Sequence, residues 1–306
     1  MTSGRTALRI GTRRSALART QAETVARSLR RAGFRCSIVP MATRGDSGTP
    51  APLSAGGVKG LFVDEIVKAL LDGHIDVAVH SAKDLPAFDP EGIVVGAIPR
   101  RAPASDVLVT REERLGRGAR VGTSSLRRRA QFMRSRPHLQ VVEVRGNIDT
   151  RLARLEAGEL DGLLLAQAGL VRLGIRPAHT AVLDLAEMLP APAQGFLAIQ
   201  TRIEDVARVP VKMLEHPAGR RAWEAERHLV RLLGADCALP VGAYARLEGG
   251  SIRLDAAVFS EDGAEAVRGH GRGEDPRAVA ESTAGILLSA GAAQILKPYS
   301  TQAEAS

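Results

Sequence analysis

The sequence predicts an α/β protein with two similar lobes facing each other across a cleft and a small α+β domain at the C-terminal end. Three observations carry that prediction. The order strand, helix, strand, loop, helix, strand occurs twice. "RIGTRRSAL" at 9–17 matches "RVGTSSLRR" at 120–128, "TRGD" at 43–46 matches "VRGN" at 144–147, and "IDVAVHSAKDL" at 75–85 matches "LDGLLLAQAGL" at 160–170. After "LPAPAQG" at 189–195 the pattern changes to one helix, a few strands and a closing helix. With 306 residues, 44% of them hydrophobic, the chain is long enough for two or three domains, each with its own core.

The elements follow in order. Residues 8–11 read as a strand, and 15–31 as an amphipathic helix with Leu17, Val25 and Leu29 inward, stopped by Gly33. "FRCSIVPM" is the second strand, and a Gly, Pro and Ser-rich loop runs from "TRGD" to Gly60. Phe62, Ile66, Val67 and Leu70 give 61–71 a helical period, and "IDVAV" is the next strand. The second copy repeats this to about residue 170. A return connection at 201–217 leads to a helix at 218–233, strands "SIRLDAAVF" and "AVRGHG", and a final helix. We divide the chain into lobe 1 at 1–99 and 195–214, lobe 2 at 100–194, and a third domain at 215–306.

Composition narrows the function. The net charge is +8 and the pI near 10.2, and lysine occurs only at 59, 68, 83, 212 and 297, so nearly all the basic groups are arginines. Arginine's planar fork suits bidentate capture of carboxylate or phosphate, although exposed positions such as Arg30 and Arg31 need no more than arginine-rich composition to explain them. Aromatics make up 3% of the chain and do not interleave with basic residues, which argues against single-strand nucleic-acid binding. No apolar run is long enough for export or a membrane span, so a cytoplasmic protein is expected. The cysteines Cys36 and Cys237 offer neither a disulfide framework nor a metal-ligand spacing, and no metal is expected. Without a heptad pattern or a long apolar stripe, a monomer is the default.

Candidate site residues cluster at strand ends. "VAVHSAKDLP" at 77–86 ends an apolar run with His80, Ser81, Lys83 and Asp84. Aligning Asp76 with Asp161 puts Ser81 on Ala166, Lys83 on Ala168 and Asp84 on Gly169, so the second copy keeps the strand and loses the polar groups. A cap needed by the strand itself would occur in both copies. The asymmetry therefore favours a functional site beyond the strand's carboxyl end, where open parallel sheets bind ligands. "VGTSSLRRRAQF" at 121–132 presents Thr123, Ser124 and Ser125 beside the free amides of a helix start. Arg127 and Arg128 fall in its first turn, where the helix dipole disfavours cations unless an anion is present. Arg13 with Ser15, and Arg145 and Gly146 with Asn147 and Arg151, occupy loops that could line opposing cleft walls. No phosphate-binding glycine motif is present, so a polycarboxylate is favoured over a nucleotide. Lys59 in "GGVKGLF" suits a flexible lid and equally a simple surface loop. Cys237, on a loop beside Asp236, suits reactivity or covalent attachment better than core packing.

Taken together, RIGTRRSALA, TRGD, GxKGLF, DVAVHSAKDLP, VGTSSLRRRAQ, RGNIDTRL, LAxAGLxRLG, PAxxQG and ERHLVRLLGADCALPVG resemble, in order from about residue 8 to 243, the porphobilinogen deaminase (hydroxymethylbilane synthase) family. The resemblance implies two type II periplasmic-binding-protein-like lobes and a third domain carrying a cofactor cysteine. It implies head-to-tail condensation of four porphobilinogen molecules with loss of ammonia, on a dipyrromethane primer held as a thioether at Cys237, followed by hydrolytic release of linear hydroxymethylbilane. It places Asp84 in the catalytic position. Arg13, Ser15, Lys83, Thr123, Ser125, Arg127, Arg128, Arg145, Arg151 and Gln194 match cofactor or substrate contacts, and Lys59, Ser81, Ser124 and Gly146 join them as candidates. The substrate is then the small molecule porphobilinogen, and the next enzyme of the pathway is a candidate recipient of the product. The chain departs from the family pattern at Ala55 (commonly lysine), Ala193 (commonly glycine) and Ala235-Asp236 (commonly Gly-Gly). A non-catalytic two-lobed organic-anion-binding protein is the alternative; it leaves Lys83, Asp84 and the cysteine-bearing domain unexplained.

Overall fold

The computed structural model describes residues 7–43, 63–234 and 239–300. Lys59, Ala55, Ala235, Asp236, Cys237 and most of the "TRGD" loop lie outside the described residues.

Lobe 1 is built on β1 (Leu8–Arg13), β2 (Cys36–Met41), β3 (Val77–Ser81), β4 (Ile93–Ala97) and the returning strand β10 (Leu197–Arg202), in the order β2-β1-β3-β10-β4. Lobe 2 uses β5 (Asp106–Thr110), β6 (Arg120–Gly122), β7 (Gln140–Val142), β8 (Gly162–Ala166) and β9 (His179–Val182), in the order β7-β6-β8-β5-β9. The two orders are the same pattern. In each sheet one strand runs antiparallel to its neighbours: β10 against β3 and β4, and β5 against β8 and β9. These are the strands that enter each lobe from the other, which gives the type II periplasmic-binding-protein arrangement. The sheets are therefore mixed rather than purely parallel.

The duplication extends to single atoms. Asp76 Oδ2 accepts from the amide of Arg9 and Asp161 Oδ2 from the amide of Arg120, both at 2.8 Å. Glycine stands in the first strand of each copy for the same steric reason. A Cβ on Gly11 would lie 2.2 Å from Ile75 Cδ1, and one on Gly122 would lie 2.9 Å from Leu160 Cδ1. The residue before the repeated aspartate fills that space in both.

Helix α1 (Ala16–Arg31) is capped by Ser15, which accepts from the Ala18 amide, and buries Ala18, Ala22, Val25, Ala26 and Leu29. Leu17, expected to face its own core, is half-buried and lies toward Gly169 of α5 (Gln167–Leu173), across the lobe boundary. The described part of the next helix, α2, is Asp64–Leu71. Lobe 2 adds α3 (Leu126–Ser135) and α4 (Ile148–Glu156).

The third unit has α6 (Pro217–Leu232), a meander of β11 (Val241–Glu248), β12 (Ser251–Phe259) and β13 (Ala266–Gly273), then α7 (Pro276–Ser289) and α8 (Ala292–Ser300). The single closing helix expected from sequence is thus two helices, broken at Gly291, whose φ is +100°. Its core is continuous with that of lobe 1: Ile66, Leu70, Ile98 and Phe196 share one apolar cluster with Trp223, Leu229, Leu254 and Leu287. Among the described residues no single helix is long and apolar enough to cross a membrane.

A buried ion pair locks this unit to the connection between the lobes. Glu226 is fully buried, and its two oxygens accept from Arg101 at 2.7 and 3.2 Å, from the Ala193 amide and from the Ala245 amide. Arg101 also donates to the Gln194 carbonyl at 2.8 Å and lies over the rings of Phe196 and Tyr244. One carboxylate thus joins both lobe connections, α6 and β11. Removing one member of such a pair leaves an uncompensated buried charge, at a cost of about 3–5 kcal/mol. Glu226→Gln should lower unfolding free energy by about that amount in urea denaturation, and Arg101→Met/Glu226→Leu should recover part of it; wild-type stability for Glu226→Gln would show that the pair fastens nothing.

Candidate active site

The lobe 1 wall is the carboxyl end of β3. After Ser81 the chain enters a single 3-10 turn, Ala82–Asp84, ended by extended Leu85 before Pro86. This brings His80, Ser81 and Asp84 into one small pocket with Arg13, Ser15 and Gln21. Ser81 Oγ accepts from Gln21 Nε2 at 2.8 Å. His80 is buried, and burial with the nearby Arg13 pushes its imidazole down to about 4, so it is neutral at pH 7. Its Nε2 has no hydrogen-bond partner.

In the second copy the equivalent segment is the seven-residue helix α5. A Cβ on Gly169, the counterpart of Asp84, would sit 2.6 Å from Ile148 Cδ1 and 3.8 Å from Leu17 Cδ2. The tight contact is with α4 of the same lobe, so packing inside lobe 2 gives the loss of a side chain at Asp84's counterpart a steric reason.

The lobe 2 wall is the turn from β6 into α3. Ser125 caps α3, accepting from the Arg128 amide at 3.4 Å, while Thr123 Oγ1 accepts from the Ser125 amide at 3.2 Å. Arg151 donates to the Gly146 carbonyl at 2.7 Å and to Ser124 Oγ at 3.3 Å. This gathers Ser124, Gly146 and Arg151 into one contact set. Arg145 is half exposed and donates to Glu143 at 2.5 Å.

Arg127 and Arg128 are buried, and their anion is supplied from within. Asp106, fully buried at the start of β5, accepts from Arg127 at 2.7 Å and from Arg128 at 3.0 and 2.8 Å. Gln194 Nε2 adds a fourth bond to the same carboxylate at 2.9 Å. Burial would raise the Asp106 carboxyl, but these cations and hydrogen bonds win and hold it far below the usual carboxylate range. The first-turn arginines do answer to an anion, and at least one is the protein's own.

Lys83 and Arg151 are desolvated and make no ion pair among the described residues. Lys83 is half-buried, and desolvation holds its ammonium down to about 8; Asp84 and Asp106 oppose that shift, and Arg128 and Arg127 add to it. Burial, with Arg128 alongside, holds Arg151 down to about 10. The orphaned Gln194 Oε1 and His80 Nε2 lie in the same region. Desolvated cations without ion pairs, beside free polar atoms, fit a ligand that brings several carboxylates of its own. No cluster of metal-ligating side chains occurs among the described residues.

Lys59 and Cys237 lie outside the described residues. The helix that leads toward Cys237 is nonetheless fixed: Arg227 of α6 donates to Asp89 at 3.0 and 2.9 Å and to the Pro86 carbonyl at 3.1 Å, and Arg231 donates to the Ala87 carbonyl at 2.6 Å. The segment just beyond Asp84 is thereby tied to the third unit. Asp106 and Glu226 were not found from sequence, because neither stands in a motif and their partners are remote. Gln21 left a legible signal, a polar residue on the apolar stripe of α1.

Comparison with known proteins agrees with this geometry. Residues 8–209 match the family model "Porphobilinogen deaminase, dipyromethane cofactor binding domain", and residues 221–289 match "Porphobilinogen deaminase, C-terminal domain". The porphobilinogen deaminase of Rubrobacter xylanophilus is 45% identical over 296 residues, covering 94% of this chain and 95% of that protein. That of Acidithiobacillus ferrooxidans is 43% identical over 297 residues, covering 95% and 97%. Among solved structures, a periplasmic substrate-binding protein of an ABC transporter from Coxiella burnetii overlaps at a TM-score of 0.41 with 16% identity, covering 68% of this chain and 89% of that one; the fold assignment rests on strand order instead. On the two domain matches and full-length relatives, the chain belongs to the porphobilinogen deaminase family.

Proposed function

We propose that the cleft condenses four porphobilinogen molecules head to tail, with loss of ammonia, and releases linear hydroxymethylbilane. The observation that carries this reading is one carboxylate, Asp84, set beside the desolvated Lys83, with Arg151 likewise desolvated and without an ion pair among the described residues. Porphobilinogen carries an acetate and a propionate, so every added ring brings two anions to such a cleft. A purely anion-binding role accounts for Lys83 and Arg151 but gives Asp84 nothing to do.

Each group has a role. Arg13, Ser15, Lys83, Arg151 and the hydroxyls of Thr123, Ser124 and Ser125 bind carboxylate arms, with Lys59 contributing from its loop. Arg127, Arg128 and Gln194, held on Asp106, present their remaining donors on a rigid floor; Arg145 and Gly146 frame the rim. Asp84 stabilises the positive charge that develops on the pyrrole as ammonia leaves, and it is the base for the proton released when the carbon–carbon bond forms. Dipyrromethane, the cofactor of the matched domain, supplies when bound a nucleophilic terminal pyrrole and further carboxylates to these residues. Cys237 is the attachment point. Asp236 is its neighbour in the sequence. The lobes divide at 1–99 with 195–214 and 100–194, followed by 215–306, and the protein works as a cytoplasmic monomer that passes its product to the next enzyme.

Under denaturing conditions the intact mass should exceed the sequence mass by two porphobilinogen units less two ammonia, and Cys237→Ser should lack that excess. An unmodified protein that stays unmodified after addition of porphobilinogen would overturn the reading. Asp84→Ala should keep the added mass and lose on the order of a hundredfold or more in turnover; near-normal rates would remove its role. Lys83 binds carboxylate only when protonated, so kcat/KM should fall as pH rises through about 8. Lys83→Arg should move that alkaline limb upward, and an unmoved limb would assign it to another group.

A further inference from the structure

We infer that the cavity between the outer face of the β11–β13 sheet and residues 184–189 of lobe 2 is a second anion site, one that takes a small di- or tricarboxylate apart from the catalytic cleft. The cavity holds about 480 Å³, within the range of small-molecule sites. The sheet's inner face is apolar and lies on α6 and α7, as the burial of Val241, Ala243, Leu254 and Ala256 records. Its outer face carries the charge. Tyr244, Asp255 and His270 stand in one cross-strand row, and Arg246, Arg253 and Arg272 in the next. Like charges directly opposite on neighbouring strands oppose folding unless something compensates them.

The compensation is incomplete. Asp255 accepts from both Arg246, at 2.7 Å, and Arg253, at 3.2 Å, and Glu248 accepts from Arg246 at 2.7 Å. Arg272 has no ion-pair partner among the described residues. Arg268, next to the cavity, donates to the Ala186 carbonyl at 3.2 Å and reaches no carboxylate, while burial and Arg134 push its guanidinium below its ordinary range. The opposing acid, Asp184, is engaged with the Ala186 amide at 2.7 Å. Three arginines that line the space, Arg246, Arg253 and Arg268, thus meet one sheet carboxylate there, Asp255, in a half-open cavity with a tyrosine in its wall. A compact ligand with two or three carboxylates would reach Arg268 on one side and Arg246 with Arg253 on the other, each through a charge-assisted fork.

The site also abuts the joint of the molecule. The Tyr244 ring lies 4.8 Å from the Arg101 guanidinium, which holds Glu226 and the Gln194 carbonyl. A ligand against Tyr244 therefore touches the element that fixes the lobe connection.

The test is calorimetric titration of the cofactor-loaded protein with citrate as the probe, at constant ionic strength set by chloride, on wild type, Arg246→Gln/Arg268→Gln and Arg151→Gln. The proposal expects citrate affinity at one site to fall at least tenfold in the double variant and to persist in Arg151→Gln, with citrate-free porphobilinogen turnover of the double variant unchanged. Arg268→Gln alone disturbs no ion pair of the sheet and should show a smaller loss in the same direction. An isotherm shared by wild type and both sheet variants, no citrate binding at all, or binding abolished by Arg151→Gln alone would overturn it. These outcomes are independent of the catalytic reading, which the mass and turnover measurements decide.

Discussion

The cleft depends on one buried carboxylate. Asp106 holds two arginines and Gln194 at once, and each comes from a different part of the chain: Asp106 from the strand that enters lobe 2, the arginines from α3, and Gln194 from the strand-ward return to lobe 1. Burying a lone guanidinium is prohibitive, and burying two beside each other is worse. With Asp106 between them the floor carries one net positive charge rather than two, and its donors are fixed before any ligand arrives. Preorganisation of this kind lowers the reorganisation needed when a polyanion binds. It also means that the entering and returning segments cannot move apart without breaking a buried hydrogen bond to a charged group. The same logic recurs at Glu226, where a second buried acid gathers Arg101 and two amides at the back of the joint.

Between these two acids sits a short run of strained backbone. Ala193 adopts φ +62° and Gly195 φ +89°, with a Cβ on Gly195 placed 2.5 Å from the Ala102 carbonyl. A left-handed alanine costs about 1–2 kcal/mol. The bonds that hold it there are the Ala193 amide on Glu226 and the Arg101 Nε–H on the Gln194 carbonyl. The left-handed alanine is therefore accommodated by the ion pair rather than by the local sequence.

Much of this was legible from sequence because it is local or repeated. The strand and helix order, the helix starts at Ser15 and after the Gly-Thr-Ser-Ser turn, and the matching of Asp76 with Asp161 depend on neighbours or on self-comparison, and each has its counterpart in the structure. The repeat also located the polar turn at 81–84 by what its second copy lacks. What stayed hidden is long-range and non-periodic. Asp106 lies 21 residues from Arg127 and Gln194 lies 88 from Asp106, while Arg101 and Glu226 are separated by 125. No hydrophobic period encodes such pairings. Leu17 shows a related limit: a helix stripe says that a residue is inward but not which body it faces.

The arginine excess changes meaning once those partners are known. Several arginines that composition alone would leave on a solvated surface are ties between remote backbone segments. Arg202 donates to the Leu70 and Ile75 carbonyls, Arg220 to Val95, Arg172 to Gly195 and Arg134 to Gly263. A guanidinium can satisfy a carbonyl and a carboxylate at once, which an ammonium does with less geometric control. Cations without an ion pair among the described residues include exposed ones such as Arg27, Arg117 and Arg176, so the lack of an acid does not by itself mark an anion site. At the cleft the mark is that Lys83 and Arg151 are desolvated as well.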